Sequence, residues 1–201
     1  MEQADLVALL KRLAVDQLSA GIIIQLPLPS NLNTDELLAL IPAAKDVDAL
    51  TAEARVMPPV VGAVAEILTK NKIDLKGKKA VVVGKGRLVG APVASWLTQA
   101  GAEVTVADSA TKNLTELLLT ADIVVSGIGR PHFIKPSMLK VGVILIDAGT
   151  SETSTDGGSK LAGDADPACA AKCTLFTPVP GGVGPLTVAC LFQNLCSLIR
   201  G

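Results

Sequence analysis

The sequence predicts an α/β fold in which helices cover both faces of a parallel sheet. Strand-sized apolar runs such as Lys79–Val83 and Gly142–Asp147 alternate with segments whose apolar residues have helical spacing. A glycine-rich turn, Gly84–Gly90, joins the first of these runs to a helical segment. Alternating strands and helices imply right-handed crossovers and therefore parallel strands. Hydrophobic residues make up 49% of the 201 residues, so the chain can bury a substantial core.

The N-terminal part predicts two helices separated by a strand. The first helix is indicated by leucines at i, i+3, i+4 and i+7, which are Leu6, Leu9, Leu10 and Leu13. The run Gly21–Leu26 predicts a buried strand that is ended by prolines. Asn33 or Thr34 then caps a short helix that Pro42 closes.

The central part predicts a regular alternation after a loop that contains Lys45–Asp48. The predicted elements are a helix over Val60–Lys70, a strand over Lys79–Val83, a helix through Trp96 and Leu97, a strand over Glu103–Ala107, a helix over Leu114–Leu119, and strands over Asp122–Ser126 and Gly142–Asp147. The polar stretch Thr150–Lys160 predicts a surface loop.

The segment Thr177–Ala189, TPVPGGVGPLTVA, is rigid and poor in side chains. Pro185 stands where the first turn of a helix tolerates proline, so a helix is predicted over Leu186–Ile199. Such a loop at a helix N-terminus suits a flat or anionic ligand. The alternative is a connection between elements that binds nothing.

Composition and charge argue against several partner classes. The net charge of −1 gives no electrostatic footprint for nucleic acid or an anionic membrane. Aromatic residues are 2% of the chain and Tyr is absent, which argues against base stacking. The apolar runs are shorter than a membrane span, and the acidic N-terminus differs from a signal peptide. We therefore expect a cytoplasmic protein with no nucleic-acid or membrane partner.

The cysteines and the single histidine predict no metal site. Cys169 and Cys173 are spaced to share a helix face, but a metal site of this kind usually adds histidine ligands. His132 follows a proline and is interpreted as a solvated loop residue. Cys190 and Cys196 are interpreted as reduced, buried residues of the C-terminal helix.

Gly84, Gly86 and Gly90 form a G-x-G-x-x-x-G pattern between a strand and a helix. The pattern is one residue longer than the usual dinucleotide fingerprint. Glycines in this position allow a tight turn and a close approach of the backbone to a phosphate at the helix N-terminus. We interpret the segment as a nucleotide-binding turn. The alternative is a tight βα turn in a protein that binds no nucleotide.

Asp108 follows the second predicted strand and lies 22 residues after Gly86. An acid at this place binds the diol of the adenosine ribose and repels a 2′-phosphate, which favours NAD. Lys85 and Arg87 favour NADP, because either cation can pair with that phosphate. NAD and NADP therefore both remain open, and a plain turn role for Asp108 is a further alternative.

Six segments carry a family resemblance, and they cover nearly the whole chain. They are Gly21–Pro29, Lys45–Asp48, Val81–Ala94, Gly129–Gly149, Gly163-Asp164 and Thr177–Ala189. In this order they resemble the bifunctional methylenetetrahydrofolate dehydrogenase/methenyltetrahydrofolate cyclohydrolase family, also called the FolD family. The first and last segments are the most specific.

The resemblance implies three parts of the chain. Residues 1–57 are a partial folate-binding catalytic domain, and residues 58–177 are a Rossmann-like NAD(P)-binding domain. Residues 178–201 are a folate-cleft loop and a C-terminal helix that returns to the catalytic domain. The implied reaction oxidises 5,10-methylenetetrahydrofolate with NADP or NAD and then hydrolyses the methenyl product to 10-formyltetrahydrofolate. One-carbon metabolism, purine biosynthesis and a homodimer are implied as well.

The resemblance also assigns roles to residues of the site. Gln25 supports a catalytic lysine and Asp48 holds the pterin ring, so both are assigned as catalytic, whereas Asp46 is interpreted as a loop or capping residue. The implied substrate-binding residues are Gln25, Pro27, Asp48, Pro180, Gly181, Gly184 and Pro185. The implied cofactor-binding residues are Gly84, Lys85, Gly86, Arg87, Gly90, Asp108, Ser109, Gly127, Gly129, Pro131, Gly149, Thr150 and Thr187. A backbone-satisfied strand amide is the alternative for Gln25, and ordinary polarity of a first helical turn is the alternative for Thr187.

The chain departs from the family pattern in several places. The family's Tyr-x-x-x-Lys motif has no counterpart, because the sequence contains no Tyr, and Lys11 lies in a different context. Ala49 replaces a glycine, and Thr51–Gly62 lacks the usual pattern. We therefore expect a form without the N-terminal part, and little or no turnover by this chain alone.

Two functions remain open at this point. The first is the folate dehydrogenase/cyclohydrolase. The second is a noncatalytic dinucleotide- or folate-binding remnant that lacks the catalytic lysine. If the first strand lacks upstream partners, self-association is expected to cover its apolar surface.

Overall fold

The chain folds as two compact units in the computed structural model, which describes residues 2–155 and 158–200. The first unit combines Met1–Pro59 with Val188–Gly201, and the second consists of Val60–Thr187. Residues 178–187, which the sequence groups with the C-terminal helix, therefore belong to the second unit.

The first unit contains the predicted N-terminal helices. Helix α1 spans Gln3–Val15 and helix α2 spans Thr34–Leu38. Asn33 caps α2, because its side-chain oxygen accepts a hydrogen bond from the Glu36 N–H at 3.2 Å. Both helices contribute to a small core whose buried members are Leu10, Ile22, Ile24, Leu37, Leu38 and Ile41.

The prediction of a buried strand over Gly21–Leu26 is wrong. The segment makes a single parallel bridge, between Ile22 and Asp46, and the Ile22 N–H donates to the Lys45 carbonyl at 2.8 Å. Ile22 and Ile24 are buried, whereas Ile23 is 49% exposed and Gln25 is exposed. Side chains of an extended chain alternate between two faces, so only one face of this segment packs against the core.

The described strands of the second unit are β1 Lys79–Val83, β2 Glu103–Ala107, β3 Ile123–Ser126, β4 Val143–Asp147, β5 Ser151–Thr155, β6 Gly158–Ala162 and β7 Cys173–Phe176. Five of them form a parallel sheet with the order β2-β1-β3-β4-β7, and β5 and β6 form a separate antiparallel pair. Every residue of β3 and β4 is buried, so both faces of the central strands are covered. The predicted α/β class is confirmed.

The helices of the second unit also follow the prediction closely. Helix α3 spans Pro59–Lys70, α4 spans Gly90–Gln99 and α5 spans Leu114–Thr120. The core beneath α5 joins strand residues to helix and loop residues, among them Val124, Leu145, Leu118, Ile134, Leu139 and Cys169.

Three predictions in the C-terminal third need correction. The stretch predicted as a loop over Thr150–Lys160 forms the hairpin β5-β6, with Ser151 paired to Ala162; Asp156 and Gly157 lie outside the described residues. Strand β7 was not predicted. Helix α6 spans Val183–Arg200 and begins three residues before the predicted start, so Pro185 is its third residue and still lies in the first turn.

Two interpretations of the cysteines are also wrong. Cys169 lies in a 3-10 helix over Pro167–Lys172 and Cys173 begins β7, so the two do not share a helix face. Cys196 is exposed and Cys190 is half-buried. Burial raises the pKa of both the Cys169 and Cys173 thiols to about 11. Within residues 2–155 and 158–200, no group of three or more His, Cys, Asp or Glu side chains is arranged to hold a metal.

Helix α6 is longer and more apolar than the sequence analysis allowed. By length and composition alone it is the one helix of the described chain that could cross a membrane. Its Asn194 side chain donates to the Val47 and Met57 carbonyls at 2.9 and 2.8 Å, within the first unit. Core helices of soluble proteins pass the same test of length and composition.

Gly90 and Gly86 lie in the same turn and should respond in opposite ways to an added methyl group. A Cβ at Gly90 would overlap the Gly84 backbone, whereas nothing lies within 4 Å of a Cβ at Gly86. We expect Gly90→Ala to lower the free energy of unfolding by about 2 kcal/mol or more, because backbone must move. Gly86→Ala should change it little. Thermal unfolding of both variants checks this, and equal stability would contradict the packing role of Gly90.

Ala49 is held in a left-handed conformation, with a φ of 54°, which a side chain disfavours. We expect Ala49→Gly to raise the free energy of unfolding by about 1 kcal/mol. Ala39, at the end of α2 with a φ of −63°, is the control, and Ala39→Gly should lower it by about 0.5–1 kcal/mol. Urea unfolding of the two variants provides the measurement; destabilisation by Ala49→Gly would contradict the strain.

Candidate functional site

The strand order creates a crevice at the carboxyl ends of β1 and β3. The chain passes from β1 to β2 on one side and then returns to place β3 on the other side of β1. In open parallel sheets, ligands bind at such a switch point, outside the carboxyl ends of the strands. The predicted glycine turn follows β1 and therefore lies at this crevice.

The turn after β1 has the backbone geometry that its glycines predict. Gly84 has a φ of 107°, and its N–H donates to the Ala107 carbonyl at 2.7 Å, which ties the turn to β2. Lys85, Gly86 and Arg87 are exposed. Gly90 packs against the Gly84 carbonyl, so the absence of a side chain at Gly90 lets α4 begin close to the turn. Gly86 leaves open space next to the backbone.

Asp108 directly follows β2 and forms an ion pair with Lys85. The Lys85 Nζ lies 2.6 Å from Asp108 Oδ2. Asp108 Oδ1 accepts the Ala110 N–H at 2.9 Å, and the Thr111 hydroxyl lies 3.5 Å away. The hydrogen bond from Lys85 is the main reason that the pKa of Asp108 is lowered and that of Lys85 is raised. Ser109, the next residue, is exposed.

The loop after β3 is held by a buried carboxylate that the sequence analysis did not assign. Asp164 accepts hydrogen bonds from the Ser126 hydroxyl at 2.7 Å, the Ile128 N–H at 2.8 Å and the Arg130 N–H at 2.7 Å. The Gly163-Asp164 pair is the sequence signal for this role, because an aspartate that is buried near apolar strands needs hydrogen-bond donors.

The predicted cofactor residues of this loop lie around Asp164. Gly127 packs against the Val89 side chain of the first turn, so the two turns meet at the crevice. Gly129 has a φ of 65° and is exposed, as is Pro131. His132 is half-buried with its Nδ1 3.4 Å from the Ala165 carbonyl oxygen, which corrects its interpretation as a solvated residue.

A second buried carboxylate follows β4. Asp147 accepts the N–H groups of Gly149, Asp164 and Ala165 at 3.0, 3.2 and 2.8 Å. Burial raises its pKa, while these donors act in the opposite direction. Gly149 is buried, and a Cβ there would overlap the Asp164 carboxylate, so the position requires glycine; the neighbouring Thr150 is exposed.

The loop after β7 leads into α6. Pro180 follows a cis peptide bond, and Gly181 has a φ of 101° with open space on its Cβ side. Gly184 and Pro185 are exposed in the first turn of α6. The Thr187 hydroxyl donates to the Val183 carbonyl at 3.1 Å, which is ordinary first-turn bonding.

In the first unit, the two aspartates of the Lys45–Asp48 segment have different surroundings. Asp46 is fully buried and accepts the Leu50 N–H at 3.2 Å, and the Thr51 N–H and hydroxyl at 2.8 and 2.7 Å. Asp48 is half-buried, and none of the described residues donates a hydrogen bond to its carboxylate. Burial, helped by the charge of Asp46, raises the pKa of Asp48.

Gln25 and Pro27 lie on the segment that bridges to Asp46. The Gln25 side chain is exposed and donates to the Leu26 carbonyl at 3.2 Å. The alternative of a buried strand amide is therefore wrong. Pro27 follows a cis peptide bond and is exposed. The parallel bridge between Ile22 and Asp46 places the two segments side by side. Gln25 and Asp48 each follow their bridging residue by a few positions.

Two family models match consecutive parts of the chain. The model of the tetrahydrofolate dehydrogenase/cyclohydrolase catalytic domain matches residues 1–48, and that of the NAD(P)-binding domain matches residues 47–200. The bifunctional protein FolD of Campylobacter fetus subsp. fetus is 41% identical over 96% of this chain, which spans 70% of that relative.

Solved structures agree with these matches. The bifunctional enzyme FolD, methylenetetrahydrofolate dehydrogenase/cyclohydrolase, from Campylobacter jejuni superposes with a TM-score of 0.92 at 35% identity, covering 100% of this chain and 74% of that one. The Trypanosoma brucei enzyme (FolD), complexed with NADP cofactor and inhibitor, gives a TM-score of 0.93 at 33% identity, with coverage of 100% and 73%. The chain therefore belongs to the tetrahydrofolate dehydrogenase/cyclohydrolase (FolD) family.

Proposed function

We propose that this chain acts in one-carbon folate metabolism as an NAD(P)-dependent methylenetetrahydrofolate dehydrogenase and methenyltetrahydrofolate cyclohydrolase. The observation that carries the proposal is the glycine turn at the switch point of a sheet that belongs to this family. The reaction removes a hydride from the methylene bridge of 5,10-methylenetetrahydrofolate. Water then adds to the methenyl carbon, and the ring opens to 10-formyltetrahydrofolate with release of a proton.

The carboxyl edge of the sheet fits a dinucleotide. The space beside Gly86 lets a phosphate approach the backbone at the start of α4. Asp108 stands at the end of β2, where an acid binds a ribose diol. When bound, NAD(P)+ supplies the hydride acceptor. The exposed residues of the two turns, Lys85–Arg87 together with Gly129 and Pro131, would hold it in place.

The substrate side of the proposal rests on Asp48 and its neighbours. A half-buried carboxylate to which no described residue donates can accept hydrogen bonds from the ring N–H groups of a pterin. Gln25 offers an exposed amide on the adjoining segment, next to Pro27. The loop residues Pro180, Gly181, Gly184 and Pro185 present a rigid surface with few side-chain atoms, which suits a flat ring. We assign the pterin contacts of Asp48 and Gln25 to the first unit; the second unit carries the cofactor turns and this loop.

We also infer the finer points that accompany this activity. The net charge of −1 supports a protein without nucleic-acid or anionic-membrane partners. We infer that it acts in the cytoplasm. The product, a formyl donor, suits the formyl-transfer steps of purine biosynthesis.

The direct test is an assay of the chain with 5,10-methylenetetrahydrofolate, with NAD+ and NADP+ in separate reactions. Reduced nicotinamide formed in proportion to protein supports the dehydrogenase, and loss of methenyl absorbance above the spontaneous rate supports the cyclohydrolase. Binding of both ligands without turnover would instead favour the noncatalytic alternative. Family membership over both domains makes that alternative the less favoured one.

Replacing Asp48 should weaken folate binding without unfolding the first unit. We expect Asp48→Asn to raise the Kd for tetrahydrofolate by roughly ten- to hundredfold, because charge-assisted hydrogen bonds are lost. Asp46→Asn is the matched control: it should lower the melting temperature, since Asp46 holds the turn through Leu50 and Thr51. Calorimetric titration and thermal unfolding of both variants distinguish the two roles, and unchanged folate affinity in Asp48→Asn would contradict the assignment.

We further infer that two copies of the chain associate through α6. Val188, Phe192 and Ile199 are 56%, 59% and 62% exposed, and their spacing places them in one stripe along the helix. Ile23 adds another exposed apolar side chain in the same unit. Unpaired apolar stripes of this kind mark association surfaces.

Light scattering measures this association. The wild-type chain should be dimeric, and Phe192→Asp should shift it towards monomer because a charge in an apolar interface must be desolvated. Gln193→Asp, on the neighbouring exposed position outside the stripe, should leave the mass unchanged. A monomeric wild type at high concentration would contradict the interface.

A further inference from the structure

The ion pair between Lys85 and Asp108 lies where a dinucleotide would place its adenosine ribose. Asp108 is the first residue after β2, and Lys85 lies in the turn after the adjacent β1. The residue at the end of the second strand of a βαβ unit contacts the ribose 2′ position in dinucleotide-binding folds. This is the position at which NAD+ and NADP+ differ, since NADP+ carries a phosphate there.

The Asp108 carboxylate is held in a fixed orientation. Its Oδ1 is fastened to its own loop by the Ala110 N–H at 2.9 Å, and its Oδ2 meets the Lys85 Nζ at 2.6 Å. The pKa of Asp108 is lowered, chiefly by the bond from Lys85, so the group is ionised at neutral pH. Each carboxylate oxygen still has a lone pair for a further donor.

This arrangement treats the two cofactors differently. A ribose diol donates hydrogen bonds, so it complements an ionised carboxylate. A 2′-phosphate brings negative charge against the same carboxylate, which disfavours binding. Lys85 does not cancel this repulsion. To pair with the phosphate, the Lys85 ammonium group would have to leave Asp108, and the Asp108 carboxylate would then face the phosphate unpaired. The pair is partly exposed, with Lys85 at 72% and Asp108 at 26%, so a bound nucleotide can reach it.

We propose that this chain selects NAD+ over NADP+, with Asp108 as the residue that determines the selectivity and Lys85 as its positioning partner. The inference rests on the proposed function only in that the crevice binds a dinucleotide. It concerns the adenosine end of the cofactor and does not depend on folate turnover.

The first experiment is calorimetric titration of the wild-type chain with NAD+ and NADP+, and with 5′-AMP and 2′,5′-ADP as fragments without nicotinamide. We expect NAD+ to bind at least about tenfold more tightly than NADP+, and 5′-AMP more tightly than 2′,5′-ADP. Equal affinities, or tighter binding of the 2′-phosphorylated member, would overturn the selectivity while leaving the dinucleotide site intact. Absence of binding by all of these ligands would overturn both the selectivity and the proposed cofactor site.

Variants separate the two side chains. Asp108→Asn keeps the shape and removes the charge, so we expect NADP+ to bind about tenfold more tightly, while NAD+ binds no more tightly than to wild type. Adding Lys85→Met to Asp108→Asn should abolish that gain, because the released ammonium group is what then pairs with the phosphate.

A matched control exists elsewhere in the same unit. Asp122 and Lys140 form another ion pair at 2.6 Å, but Asp122 precedes β3 and so lies at the opposite end of the sheet. Asp122→Asn should leave the ratio of the two cofactor affinities unchanged. An unchanged ratio in Asp108→Asn, or an equal change in Asp122→Asn, would overturn the assignment of selectivity to Asp108.

Discussion

The carboxylate of Asp164 is the interaction on which the crevice of the second unit depends. It is completely buried, and it gathers a side-chain hydroxyl of β3 and two backbone N–H groups of the following loop. Each of those donors would otherwise lack a partner, at a cost of about 1–3 kcal/mol apiece. Because Gly127 of the same loop packs against Val89, the carboxylate also sets where the loop meets the glycine turn after β1. The positions of the candidate cofactor residues in this loop therefore depend on the buried Asp164 side chain.

Asp164 is in turn positioned by Asp147. The Asp147 carboxylate accepts the N–H groups of Asp164 and Ala165, so one buried acid orients the chain that carries the other. Two buried carboxylates are tolerated only because backbone donors surround both, and the raised pKa of Asp147 reflects the desolvation that remains. The arrangement also dictates two glycines: a Cβ at Gly149 would overlap the Asp164 carboxylate, and one at Gly163 would overlap that of Asp147. These glycines make room for carboxylates, whereas Gly84 serves a left-handed turn.

Local patterns predicted the parts of the fold that local physics determines. Strands β1 and β2 were predicted with their observed bounds, since β-branched runs end there at a glycine and an aspartate. The prediction of a strand over Gly21–Leu26 is wrong because apolar residues alone do not show how many backbone pairs a segment forms, and this segment forms one bridge. The hairpin β5-β6 was missed because its residues are polar, although the Asp-Gly pair that follows Thr155 in the sequence is a hairpin signal. In the site, the glycine turn and Asp108 were found from spacing. Asp164 was not, because its role consists of contacts to residues 34–38 positions away.

The Lys45–Asp48 segment shows how a conspicuous motif divides between folding and ligand binding. Lys45 extends its ammonium group to the Leu13 and Asp16 carbonyls at 2.9 and 2.6 Å, where the end of α1 offers acceptors. Asp46 closes the turn that follows, and Val47 is 3% exposed in the core. Three of the four side chains are therefore engaged by the fold itself. Asp48 remains, desolvated beside the charge of Asp46 and without a donor among the described residues, so its carboxylate is the one whose energy a hydrogen-bonding ligand would lower most.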